Sequence, residues 1–355
     1  MNKKKKRPLN GDYPYDGAVK WNISSLRDSI KRGKSTRSLP DFGLERVEIH
    51  PTSLCQYKCS FCYGINFKIK EKINLSLSDV EKNVFQSIRD DKRLSKYDPV
   101  IILAGLYSEP LVHPDKIKLI ELIGKYNFRF SLYTNGGLMD EKVMKALCQS
   151  AKMIKSSEPN YVSFNITASI LHKQYDLLIE KIENLINMRD EMKAPLQINV
   201  PILMEGNILS EKDLEKIQNK MLDIGVDKIR YSVPQKPLSI KKLINTKNVK
   251  IIKNLEARGG GKVYVRSKTN KQFGHCFVMA NTVSIDHMGN VYPCSQTCSS
   301  FFRKLSYGSI KDKKLANLWN SEKHKNLFYR FDEIPNYCRC NPADDQFNAI
   351  CASFD

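Results

Sequence analysis

Long apolar runs are absent from this 355-residue sequence. It contains no stretch of about 18 consecutive apolar residues, so we expect no membrane-spanning helix and no membrane partner. The first residues, Met1–Arg7, are mostly lysine and lack the apolar segment of a secretory signal peptide. Both absences predict a cytoplasmic protein.

Glycine and proline are too scarce, at 17 and 15 residues, for a collagen-like or low-complexity chain. The hydrophobic share of 41% and the charged share of 27% are ordinary for a globular protein. A chain of this length can form one large core or two domains.

Acidic residues are outnumbered by basic ones, 38 to 58, which gives a net charge of +20. Such a charge occurs in nucleic-acid-binding proteins. However, the lysines are scattered over predicted helix faces, and aromatic residues do not alternate with them. We therefore expect no nucleic-acid partner, while an anionic peptide or a phosphorylated substrate stays open.

Cysteine, in contrast, is abundant, with ten residues. Disulfides are rare in cytosolic proteins, so this number favours metal or redox chemistry. Cys148 stands alone on the apolar side of a predicted helix, as expected for an inert buried thiol. The others form an early group, Cys55, Cys59 and Cys62, and a late group, Cys276, Cys294, Cys298, Cys338, Cys340 and Cys351.

The early group has the spacing C-x3-C-x2-C. Iron–sulfur clusters take their thiolate ligands from such short runs. A four-iron cluster needs four ligands, so three thiols leave one iron open to a non-protein molecule. A structural zinc site is the alternative, but zinc sites favour paired C-x2-4-C knuckles separated by a longer gap.

From Leu44 onward, β-rich apolar runs alternate with helical patterns. The predicted strands are Arg46–His50, Pro99–Ala104, Phe128–Tyr133, Tyr161–Ile166, Gln197–Leu203 and Lys228–Val233. The predicted helices are a Ser78–Glu81 capping box with the segment after it, then Asp115–Tyr126, Glu141–Cys148, His172–Arg189 and Glu211–Ile224. This alternation predicts parallel βαβ units, in which ligands bind at the carboxyl ends of the strands.

Polar segments follow the first four predicted strands. The cysteine triplet follows the first strand, Ser108-Glu109-Pro110 the second, and Thr134-Asn135-Gly136-Gly137 the third, while the fourth carries Ser163 and Asn165. A ligand site at this edge of the sheet is one interpretation. The alternatives are an ordinary strand-to-helix turn at Glu109 and simple polar alternation along a half-buried strand at Ser163 and Asn165.

The late cysteines surround a predicted β-hairpin. Val283 and Ile285 alternate on one strand, and Met288-Gly289-Asn290 supplies the turn. Folding this hairpin brings Cys276 and Cys294 to the same end, where they could share a metal. A zinc ribbon is the alternative here.

The cysteine triplet resembles that of the radical S-adenosylmethionine (radical SAM) enzymes. This resemblance implies a partial (β/α)6 barrel in which a [4Fe-4S] cluster binds S-adenosylmethionine and cleaves it to a 5′-deoxyadenosyl radical. The segment Gly105–Pro110 is similar to the family's Gly-Gly-Glu-Pro motif, so Ser108 and Glu109 are implied to hold the methionyl amino group. Ser163 and Asn165 are implied to contact the ribose or the carboxylate.

The pattern Cys276-x12-Gly289-x4-Cys294 resembles the auxiliary-cluster module called SPASM, or its shorter twitch form. It implies a small α+β domain with one auxiliary [4Fe-4S] cluster, held by Cys276, Cys294, Cys338 and Cys340, with Cys351 or Cys298 as replacement ligands. The domains expected are a leader segment over 1–43, the barrel over 44–236, a linker over 237–260 and the auxiliary domain over 261–355.

Together the resemblances imply an enzyme that abstracts a substrate hydrogen. The substrate is expected to be a natural-product small molecule such as a sugar or an aminocyclitol, oxidised or rearranged, or a ribosomal peptide. An electron donor such as flavodoxin or ferredoxin is implied. The alternatives are an RNA-modifying radical SAM enzyme and a non-enzymatic, zinc-containing nucleic-acid-binding module.

Overall fold

The fold is that of a computed structural model of the chain. The structure describes residues 9–10, 20–21, 23–62, 71–105, 107–203, 209–232, 254–259, 261–266, 276–298, 300–330 and 342–354.

Strands and helices alternate through the middle of the chain. The strands are β1 (Leu9–Asn10), β2 (Lys20–Trp21), β3 (Arg46–Ile49), β4 (Val100–Leu103), β5 (Phe130–Thr134), β6 (Asn160–Phe164), β7 (Leu196–Leu203), β8 (Lys228–Ser232), β9 (Val263–Arg266), β10 (Thr282–Ile285), β11 (Asn290–Tyr292) and β12 (Gly308–Ser309). The helices are α1 (Ile23–Thr36), α2 (the segments Leu77–Asp79, Val80–Gln86 and Ser87–Asp90), α3 (Lys116–Lys125), α4 (Glu141–Met153), α5 (Ile166–Leu171), α6 (Tyr175–Glu191), α7 (Glu211–Asp223), α8 (Leu315–Leu318), α9 (Glu322–Tyr329) and α10 (Pro342–Ala352).

The chain divides into two compact units that do not follow chain order. The first, called the sheet unit, comprises Ile49–Leu77 and Val100–Ser267. The second, called the terminal unit, comprises Met1–Glu48, Ser78–Pro99 and Lys268–Asp355. The four sequence ranges given above stay predictions of domain boundaries.

The sheet unit contains parallel strands in the order β4-β5-β6-β7-β8-β9. This confirms the predicted α/β class with mostly parallel strands. Strand β9 was not predicted, because its short run follows loop-like basic sequence, and it lies within the range assigned to the auxiliary domain. It pairs with β8 in the sheet unit.

One face of this sheet is apolar and lies under helices. Leu132, Val162 and Ile198 are paired across β5, β6 and β7, and all three are fully buried. Tyr231 of β8 reaches this helix side, where its hydroxyl donates to Gln218 of α7 at 3.0 Å. Tyr133, Ser163 and Asn199 alternate with these apolar residues, and they belong to the candidate site described below.

The terminal unit contains the predicted hairpin. Strand β10 pairs antiparallel with β11, and Gly289 in the turn has a φ of +86°, which a glycine adopts without strain. Strand β12 pairs antiparallel with β11. The core of the terminal unit includes the α1 side chains Leu26 and Ile30, which lie in the predicted leader range. Its other members include Cys276, Phe277, Phe328, Phe347 and Cys351.

Three local predictions need correction. The capping box at Ser78 is wrong, because α2 already begins at Leu77 and continues into a π-helical segment. Helix α4 runs five residues beyond the predicted end at Cys148. The predicted helix His172–Arg189 starts three residues too early, because Lys173 adopts a left-handed φ of 56° and α6 begins only at Tyr175. The short helix α5 before it was not predicted.

The predicted linker 237–260 lies outside the described residues except for 254–259, which include a short helix over 254–258. Within the described part of the chain, no helix is both long and apolar enough to cross a membrane.

Candidate functional site

The cysteine loop leaves the end of β3 and is tied to the segment after β4. Ala104 donates its backbone N–H to the carbonyl of Ile49 at 3.1 Å, and Glu109 donates its own to the carbonyl of Leu54 at 2.8 Å. Cys55 is exposed, whereas Cys59 and Cys62 are half-buried. The loop therefore lies at the carboxyl end of the parallel strands, where such folds bind ligands.

The turn after β5 contacts the same loop. Gln56 donates its side-chain amide to Asn135 Oδ1 at 2.8 Å, and Asn135 Nδ2 donates to Cys55 Sγ at 3.8 Å. The backbone N–H of Tyr57 lies 3.4 Å from Cys55 Sγ. Two of the motifs that follow predicted strands thus meet at one sulfur.

The electrostatics around Cys55 oppose a free thiolate. Its side chain reaches solvent, but the protein around it weakens solvation of the charged form, and the charges of Glu109 and Cys62 add to this effect. The pKa of Cys55 is therefore raised to about 11. Metal binding must displace this proton. Among the described residues, no three His, Cys, Asp or Glu side chains could together hold a single metal ion.

Glu109 is buried, with 2% of its surface exposed. Oε1 accepts hydrogen bonds from Thr134 Oγ1 at 2.6 Å and from the Leu111 N–H at 3.1 Å, and Oε2 accepts the Asn135 N–H at 2.8 Å. Burial raises the pKa of Glu109 to about 7, although these three hydrogen bonds oppose the rise. One acceptor position on Oε2 is left for a ligand.

The turn held by Glu109 is compact because of its glycines and a lysine. Gly136 has a φ of +75°, and a Cβ added at Gly137 would lie 2.6 Å from Gln56 Nε2. Lys181 of α6 donates its ammonium group to the Gly137 carbonyl at 2.7 Å. These contacts hold the turn close to the cysteine loop on one side and to α6 on the other.

Buried polar groups without partners lie in the same unit. Neither amide atom of Asn199 has a hydrogen-bond partner among the described residues, although Asn199 is only 2% exposed. Strand register places Asn199 beside Ser163, and Ser163 beside Tyr133. The buried hydroxyl of Ser108 also has no partner within the described residues. Buried groups of this kind are suited to a polar ligand.

Asn165, which was predicted as a ligand contact, has a structural role here. Its Oδ1 caps α5 by accepting the N–H of Ala168 at 3.3 Å, and its own N–H donates to the Thr134 carbonyl. Its side-chain NH2 group is still able to bind a ligand, so the predicted contact stays a prediction. The two roles are compatible, because different atoms serve them.

The late cysteines are partly brought together. Cys276 and Cys351 belong to one core cluster of the terminal unit, and Cys294 packs against it. Cys298 is buried, and desolvation together with Asp286, Glu48 and Cys294 raises its pKa well above the usual range. The predicted ligands Cys338 and Cys340 lie outside the described residues.

Sequence reasoning assigned no role to His172 or Asn199. His172 Nε2 lies 3.6 Å from Cys59 Sγ, and its ring stacks on Tyr57. A lone histidine at the start of a predicted helix gives no signal of such a contact. Asn199 could have been suspected, because a buried amide in an apolar strand needs partners.

Comparison with known proteins identifies two domains. Residues 49–169 match the radical SAM superfamily, and residues 276–341 match SPASM, an iron–sulfur cluster-binding domain. The first range contains the cysteine loop and all the ligand contacts predicted in the barrel. The second contains the predicted auxiliary ligands from Cys276 to Cys340.

Individual relatives agree with this assignment. A Pyrococcus furiosus protein, described as a tungsten-containing aldehyde ferredoxin oxidoreductase cofactor-modifying protein, is 22% identical over 305 residues, covering 79% of this chain and 81% of its own. The structure of Streptococcus suis SuiB bound to S-adenosylmethionine superposes with a TM-score of 0.60 at 14% identity, over 83% of this chain and 69% of SuiB. The structure of SuiB bound to its precursor peptide SuiA superposes with a TM-score of 0.61 at 15% identity, over 89% of this chain and 74% of SuiB.

These domains bind a [4Fe-4S] cluster with S-adenosylmethionine and an auxiliary iron–sulfur cluster, respectively. The structural neighbours share the α/β fold. The chain is therefore an enzyme of the radical SAM superfamily, with a SPASM domain at its C-terminal end.

Proposed function

We propose that this enzyme abstracts a hydrogen atom from a ribosomally made peptide and thereby oxidises or rearranges it. S-adenosylmethionine on the cluster supplies the 5′-deoxyadenosyl radical for this step, with an electron from a donor such as flavodoxin or ferredoxin. The observation that carries the proposal is the meeting of Cys55, Glu109 and Asn135 at the carboxyl end of the parallel strands.

The residues of the sheet unit fit this cofactor. Cys55, Cys59 and Cys62 are its proposed cluster ligands, since three thiols leave one iron open. The remaining acceptor position of Glu109 is suited to an ammonium group, and the unpartnered Ser108 and Asn199 side chains to further polar groups of the ligand. Ser163 and Asn165 are proposed to lie along the same ligand.

The terminal unit is proposed to hold one auxiliary four-iron cluster. Cys276, Cys294, Cys338 and Cys340 are the proposed ligands, and the packing of Cys351 with Cys276 supports Cys351 as a replacement ligand. A second cluster suits a net two-electron oxidation, because it can accept the electron left on the product.

The peptide class is supported by the likeness to SuiB, whose structure with a precursor peptide superposes over 89% of this chain. The charge of +20 also suits a peptide with acidic residues. No comparable observation favours a sugar.

Anaerobic reconstitution tests the cofactor chemistry. We expect about eight irons per chain, four for each cluster, and release of 5′-deoxyadenosine on reduction with S-adenosylmethionine. Cys59→Ala should abolish nucleoside release, whereas Cys148→Ala, a buried cysteine of α4, is the matched control that should retain it. Nucleoside release by Cys59→Ala would contradict the proposal.

The substrate class needs its own test. The enzyme can be expressed together with each short peptide encoded beside its gene, and the peptide masses can then be measured. A mass change that requires Cys59 supports a peptide substrate. No change in any peptide, together with nucleoside release stimulated by an aminocyclitol or a tRNA, would refute it.

A further inference from the structure

A histidine from outside the cysteine loop contacts a proposed cluster ligand. His172 Nε2 lies 3.6 Å from Cys59 Sγ. Its imidazole ring also stacks on the ring of Tyr57, with centroids 4.3 Å apart and an interplanar angle of 10°. Tyr57 lies in the loop between Cys55 and Cys59, so two residues of the loop contact one imidazole.

The position of His172 is set by the turn between α5 and α6. Its backbone N–H donates to the Ala168 carbonyl at 3.2 Å, and Gln174 donates to the Ser169 carbonyl at 2.8 Å. Lys173 between them has a left-handed φ of 56°. The helix therefore ends at Leu171 with His172 as its C-terminal cap, and the imidazole of His172 stacks on the Tyr57 ring.

We propose that His172 is a positioning residue that donates a hydrogen bond from Nε2 to the Cys59 thiolate and thereby raises the reduction potential of the cluster. The inference rests on the proposed function, in which Cys59 is a cluster ligand. It adds a residue that lies three positions beyond the matched radical SAM range, 49–169.

The physical reason is the change in charge on reduction. The cluster gains one electron, and part of the added negative charge resides on its thiolate sulfurs. A donor aimed at such a sulfur interacts more strongly with the reduced state than with the oxidised state, so it favours reduction. Hydrogen bonds to the sulfurs are a recognised means by which proteins adjust cluster potentials.

Stacking and donation can be separated by two substitutions. His172→Phe keeps a flat ring against Tyr57 but removes the donor. His172→Gln loses the ring, but its amide nitrogen can occupy the position of Nε2 and donate. If donation is the role, glutamine should preserve the potential and phenylalanine should not. If stacking alone matters, the order should be reversed.

The potential is measured by anaerobic redox titration of full-length reconstituted protein, followed by electron paramagnetic resonance. The relevant signal is the one absent from a variant with Cys55, Cys59 and Cys62 all replaced by alanine. We expect His172→Phe to weaken reduction about tenfold, a decrease of about 59 mV for one electron. His172→Gln should stay close to the unchanged protein.

Each outcome is decisive. Equal potentials in the unchanged protein and His172→Phe would overturn the inference, as would loss of the cluster signal from both variants in correctly folded protein. Loss from His172→Phe with retention in His172→Gln would support the donor role. Absence of the signal from the unchanged protein would instead overturn the proposed function.

Discussion

Replacement of Glu109 by glutamine tests the electrostatics of the site directly. In the folded chain this carboxyl group is buried and its pKa is raised to about 7 from an ordinary value of 4.5, chiefly by burial. The folded state thus binds the proton more tightly than the unfolded state. Glu109 therefore contributes most to stability below pH 4.5, and this contribution is lost as the pH rises through about 7.

The size of the effect follows from the two pKa values. Their difference corresponds to about 3–4 kcal/mol in the free energy of unfolding, at about 1.4 kcal/mol per pKa unit. Glutamine cannot ionise, so this dependence should be missing from Glu109→Gln. The NH2 group of the glutamine would face the Asn135 N–H, and these two opposing donors should lower the free energy of unfolding by about 1–3 kcal/mol more, independent of pH.

The assay is urea unfolding of the cluster-free, full-length protein and the variant between pH 4.5 and 8. The free energy of unfolding of the unchanged protein, minus that of Glu109→Gln, should fall by about 3 kcal/mol across this range. Thr134→Val removes the 2.6 Å hydrogen bond to Oε1, which stabilises the carboxylate form of Glu109. The fall in the free energy of unfolding should therefore occur at a higher pH in this variant. A difference that stays constant with pH would refute the reasoning.

Three further substitutions have matched controls. Cys276→Ala should lower the iron content by about four atoms per chain because Cys276 is a proposed ligand of the auxiliary cluster. Cys298→Ala, which removes a buried thiol beside Asp286 and Glu48, should retain iron. The reverse result in an iron assay would contradict this. Lys181→Met should lower the free energy of unfolding by about 1 kcal/mol through loss of the hydrogen bond to Gly137. Glu180→Gln, at an exposed position of the same helix, should leave it unchanged. Equal urea midpoints for the two variants would contradict this role of Lys181. Gly136→Ala should lower the free energy of unfolding by a backbone strain of about 1–2 kcal/mol and by crowding of about 1–3 kcal/mol, since its Cβ would lie 2.3 Å from Leu178. Gly225→Ala, with open space around its Cβ, should cost the backbone strain alone. Similar shifts of the melting temperature in both variants would exclude the crowding.

Several features were predictable because they depend on neighbouring residues. The triplet Cys55, Cys59 and Cys62 can be recognised in the sequence, because a cluster bound by one short loop takes its cysteine ligands from closely spaced positions. The hairpin around Gly289 follows from alternation and turn chemistry. The order of strands and helices likewise follows from periodicity, although the turn at His172 and Lys173 shows its limit. Lys173 adopts a left-handed φ, so the helix predicted from His172 begins only at Tyr175.

Short sequence patterns are enough to predict the local chemistry: which thiols are clustered, where strands end, and which acid follows β4. Which distant groups meet depends on the tertiary fold, as for Glu109 with Thr134, Cys59 with His172, and Cys276 with Cys351. The reason is that these pairs are 25 to 113 positions apart along the chain. Strand order and loop closure set their distances, and no local pattern encodes either.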